Sequence, residues 1–69
     1  MRYTSKELAQ ELHKSLDGLG VSIHGHDRAM MLSKMLDIPK PEAWSLLEGY
    51  TFPDKPLLRK ISETLEIHL

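Results

Sequence analysis

The chain contains no cysteine. Neither a disulfide framework nor a zinc site with thiolate ligands is open to it. Aromatic side chains are few, with one Trp, two Tyr and one Phe, so the tryptophan is a side chain whose placement must be explained. No sign of charge dominates. Nine Lys and Arg stand against ten Asp and Glu, for a formal net charge of −1, which is not the basic balance of a general nucleic-acid binder. No apolar run approaches the roughly 18 residues of a membrane span. The opening Met1-Arg2-Tyr3-Thr4-Ser5-Lys6 leads into no secretory apolar stretch, so a cytoplasmic protein is expected. No serine lies in a nucleophile motif, and there is no glycine-rich phosphate loop or paired-carboxylate cleft. The expectation is a non-enzyme with no cofactor and no metal. What remains is 69 residues, 41 % of them hydrophobic: one small domain with a marginal core.

Helical periodicity runs through most of it. From Thr4 to Asp17, Leu8, Leu12 and Leu16 recur every four residues, with Ala9 and Leu19 near the same face. Thr4 and Glu7 have capping-box spacing, and Asp17-Gly18 with Gly20 can end the helix. Val21 to His26 reads as a loop anchored by Val21 and Ile23, or as a short extended piece. Asp27 is a natural N-cap for a helix from Arg28 to about Leu36, with Met31, Leu32, Met35 and Leu36 inward. Asp37-Ile38-Pro39 breaks it. Pro41 suits a first helical turn, and Ala43, Leu46 and Leu47 face inward before Gly49. Tyr50-Thr51-Phe52-Pro53 forms a turn, with Phe52 placed under it beside Pro53. Asp54 caps a last helix, Lys55 to about Leu65, with Leu57, Leu58, Ile61 and Leu65 inward and Ile67 packing behind. The fold expected is a compact all-α domain of four helices, with room for a fifth.

Residues 32–67 follow a single pattern: Leu32-Ser33-Lys34-Met35-Leu36-Asp37-Ile38, a short helix through Leu47, Glu48-Gly49, Pro53, and Leu57-Leu58-Arg59-Lys60-Ile61-Ser62-Glu63-Thr64-Leu65-Glu66-Ile67. This pattern resembles the helix-turn-helix domain of the phage-repressor and Cro-like transcription regulators. The resemblance implies one domain over 1–69 with its motif at about 28–48, in which Ser33 is the small residue that lets two helices approach. It implies a regulator that reads the major groove of double-stranded DNA with the helix around 40–48, as a homodimer. The residues it places at DNA are Lys40, Pro41, Glu42, Trp44 and Ser45 on that helix. It adds Arg28 at phosphate, and Tyr50 and Thr51 near the backbone. Leu65, Ile67 and Leu69 are candidates for the dimer surface.

The residues themselves leave a second reading open. Between Asp27 and Pro53, three basic residues (Arg28, Lys34 and Lys40) face four acidic ones (Asp27, Asp37, Glu42 and Glu48). Phosphate contacts supply much of DNA affinity. A protein-interaction module on the same fold, such as an antitoxin, antirepressor or adaptor, would use Glu42, Trp44, Tyr50 and Phe52 instead. Trp44 suits either an interface or a cap on the core. His24-Gly25-His26-Asp27 matches no strong metal-binding spacing and reads as a polar loop. Met30, Met31 and Met35 read as core filling, with an adaptable binding face as the alternative.

Overall fold

Each segment with an apolar side chain every three or four positions is a helix in the computed structural model, which describes residues 3–21 and 23–67. The helices are α1 (Ser5–Gly18), α2 (Gly25–Leu36), α3 (Lys40–Glu48) and α4 (Lys55–Leu65). No strand occurs among the described residues, so the domain is small and all-α, with four helices there. α3 lies against α2, α1 packs on α3, and α4 packs on α2. Leu8, Leu12, Leu16, Leu32, Leu36, Leu46 and Ile61 are fully buried between them. Each such side chain contributes about 1.5–3 kcal/mol on leaving water.

The capping box of α1 is formed. Thr4 Oγ1 accepts from the Glu7 amide at 3.1 Å, and Glu7 Oε1 accepts from the Thr4 amide at 2.9 Å. The other end closes on a left-handed glycine, as expected. Gly18 stays helical, and the left-handed residue is Gly20, at φ +77°. The chain turns away at Leu19, which is left 61 % exposed. Val21 covers the core in its place, and its amide reaches the Leu16 carbonyl at 3.0 Å. Ile23, expected as a second anchor, is exposed.

α2 starts earlier than its composition suggests. His24 is the N-cap, and the Arg28 amide closes the first turn on the His24 carbonyl at 3.1 Å. Asp27 is therefore not the cap. It lies in the first turn, where its carboxylate complements the helix dipole. The buried stripe is Arg28, Ala29, Leu32 and Leu36, and Met31 points to solvent. The expected inward Met31 and outward Arg28 are both reversed.

The turn from α2 to α3 is short. Asp37 takes the left-handed conformation at φ 54°, the position where a small polar residue is tolerated. Ser33 does more than leave space. Its hydroxyl donates to the Ile38 carbonyl, and its own carbonyl accepts from the Ile38 amide at 3.1 Å. α4 ends the same way, with Glu66 left-handed at φ 55° and the Ser62 hydroxyl donating to the Ile67 carbonyl at 2.7 Å. Leu65 and Ile67 pack against the core, so they do not form a free dimer surface; Leu69 lies outside the described residues.

α3 ends at Gly49, φ 75°. A Cβ there would also stand 3.3 Å from Lys6 Cα, because α1 crosses close by. Asp54 caps α4, accepting from the Leu57 amide at 3.0 Å. Pro53 is the buried residue of the intervening turn, and Phe52 is 44 % exposed rather than under it.

Candidate nucleic-acid interface

The helix expected to meet DNA has one apolar side and one open side. Ala43, Leu46 and Leu47 are buried. Pro41, Glu42 and Trp44 are exposed, while Lys40 and Ser45 are half-buried. Pro39 is the N-cap and provides no side-chain hydrogen bond. Glu42 occupies the first turn. Past the helix, the Ser45 carbonyl accepts from the Tyr50 amide at 3.0 Å, which fixes the backbone there. The Tyr50 side chain is exposed, as is that of Thr51.

Two contacts join the N-terminal ends of α2 and α3. Lys40 Nζ stands 3.0 Å from His26 Nδ1 and 3.2 Å from Nε2. The ammonium has only protons to give, so it donates to whichever ring nitrogen is unprotonated. Beside this pair, the Trp44 ring rests over the start of α2. A Cβ added at Gly25 would lie 3.1 Å from Trp44 Cη2 and 3.2 Å from Cζ3. Trp44 is thus half-seated on α2 with 40 % of its surface still open. It lies between the two roles its position allowed.

Arg28 is elsewhere. It is 4 % exposed, and its guanidinium points across the core toward α1. Nη1 donates to His13 Nδ1 at 2.8 Å and to the His13 carbonyl at 3.2 Å. Nη2 pairs with Asp17 Oδ1. Arginine stays protonated, so His13 Nδ1 is an acceptor and the ring proton sits on Nε2. That Nε2–H donates to the Leu47 carbonyl of α3 at 3.0 Å. The network satisfies one of the carbonyls that a helix leaves open at its C-terminal end. It ties α1, α2 and α3 together. Arg28 therefore drops out of the expected set of phosphate contacts.

The withdrawal of Arg28 shifts the surface charge around α2 and α3. Lys34 and Lys40 remain, against Asp27, Asp37, Glu42 and Glu48. Lys55, Arg59 and Lys60 are exposed on α4. Among the described residues, no three His, Asp or Glu side chains gather as a metal site. No helix there is long and apolar enough to cross a membrane.

No sequence signal marks His13, and Asp17 is read only as part of the end of the first helix. His26 and Gly25 read as loop residues by composition, whereas both lie in the first turn of α2. The contacts of His13 to Leu47 span 34 residues, and no local pattern announces them. A glycine opposite a tryptophan is likewise visible only once the two helices are placed. In comparisons with known protein families, curated proteins and solved structures, nothing matches this chain.

Proposed function

We propose that the chain is a sequence-specific DNA-binding transcription regulator of the repressor and Cro-like helix-turn-helix kind. It acts in the cytoplasm as a homodimer and enters the major groove with α3. The observation that carries this reading is the joining of the two N-terminal helix ends. Lys40 and His26 stand there side by side, with the open part of Trp44 next to them. Backbone amides at the start of α2 favour anions, and Lys40 beside them adds a phosphate contact, whereas α3 offers few amides because Pro39 and Pro41 have no N–H. Glu42 would accept from a cytosine amino group, and Trp44 would touch a thymine methyl. Pro41 and Ser45 complete the groove-facing surface, with Tyr50 and Thr51 near the sugar-phosphate backbone.

The test is a binding isotherm on short duplexes at several salt concentrations. Lys40→Ala should weaken binding to all sequences alike and lower the salt slope by about one. Trp44→Ala and Glu42→Ala should change sequence preference. If none of the three alters binding, α3 is not the reading helix.

A second reading has its own support. Trp44, Tyr50 and Phe52 are all exposed, and Glu42 is an exposed acid on the same short helix as Trp44. Aromatic side chains of this kind anchor protein partners. A protein contact through them would respond little to salt, whereas DNA binding falls steeply with it.

A further inference from the structure

The side of α2 turned away from the core carries four exposed residues: Asp27, Met30, Met31 and Lys34. Their spacing of three, one and three places them on one helical stripe. All four line a single groove together with Gly20 and Val21. The two methionines remain 39 % and 41 % exposed. Contacts from α3 reach α2 at Gly25 and His26, on another side of the helix. Neither Asp27 nor Lys34 forms an ion pair with another described residue.

The order of these residues is the informative feature. The acid stands at one end, the base at the other, and the methionines lie midway. Residues 27 and 34 are about 10 Å apart along the axis. If a second α2 is laid antiparallel across a two-fold axis between Met30 and Met31, each Asp27 meets the Lys34 of the other copy. Each Met30 meets a Met31. A two-fold interface requires this self-complementarity, in which residue i meets j and j meets i. A parallel arrangement in register would oppose like charges.

We infer that the outer stripe of α2 is the homodimer surface, and that a second copy of this chain pairs with it antiparallel through Met30 and Met31. Asp27 and Lys34 set the register. This sharpens the homodimer proposed above but does not depend on DNA binding. The experiment is run without DNA, so failure of the DNA reading leaves it standing.

The test is sedimentation equilibrium of the full chain and of charge variants, with circular dichroism to verify the fold. The wild type should dimerise. Asp27→Lys alone and Lys34→Asp alone should each weaken the dimer roughly tenfold, because both pairs turn repulsive. An equimolar mixture of the two variants should recover affinity to within about threefold, since every cross pair is again attractive. The double variant Asp27→Lys with Lys34→Asp should recover it likewise. Met31→Lys weakens the dimer without touching either register charge, and keeps the test open if a charge variant misfolds. A wild type that stays monomeric at millimolar concentration overturns the proposal. So does a dimer indifferent to these changes, or one that the mixture fails to restore.

Discussion

Two histidines in this domain each meet a cationic side chain, and the surroundings of the two pairs differ. Around Arg28 and His13, every polar group has an opposite. The guanidinium has the imidazole nitrogen, a carbonyl and the Asp17 carboxylate, and the imidazole has the Leu47 carbonyl. Around Lys40 and His26, two basic groups meet each other at an exposed edge of the fold. The first arrangement is complete within the chain and holds three helices in place. The second suits an external anion. A cation near the start of a helix therefore says little about binding until its internal partners are known.

The largest effects are expected at the buried pair. Arg28→Met keeps the apolar stem but removes every donor, leaving His13 and Asp17 without their cation. Unfolding stability in urea should fall by about 2 kcal/mol. His13→Ala should cost about 1–2 kcal/mol, since it orphans the Leu47 carbonyl and takes one acceptor from Arg28. The same network predicts that nitrogen chemical shifts of His13 in its neutral form report the proton on Nε2. Its appearance on Nδ1 would contradict the hydrogen-bond directions given above.

At the exposed pair the expected order of effects is inverted. Lys40→Ala should change stability by less than about 0.5 kcal/mol, while weakening binding to every duplex tested. The smallest effect belongs to Gly25→Ala. The added methyl meets the Trp44 ring, so the tryptophan emission should shift. Stability should move by less than about 0.5 kcal/mol, because alanine also favours the helix.

The difference between the two pairs also shows what could be read in advance. Local signals identified the elements. The Thr4–Glu7 box, the left-handed Asp37 and Gly49, and the Asp54 cap all act within a few residues of themselves. The apolar stripes of α1, α3 and α4 followed from their periodicity. In α2 the apolar pattern points Met31 inward with Leu32 and Leu36, and only the resemblance turns Arg28 outward; the structure buries Arg28 and Ala29 beside Leu32 and Leu36 because the guanidinium finds partners on α1. The brace at His13 rests on partners far along the chain, so no window of sequence contains it. The candidate site was legible in the same partial way. Trp44 and Lys40 could be placed on the right helix, but Gly25 and His26 join them only through tertiary packing.

The most direct measurement is an amide and side-chain NMR titration with a mixed-sequence duplex at low salt. Signals from Gly25 to Asp27 and from Lys40 to Ser45 should shift together and return when salt is added. The Arg28 guanidinium should not move. Shifts centred on Arg28, or no shifts at any DNA concentration, would contradict the division between the buried brace and the exposed pair on which this reading of function stands.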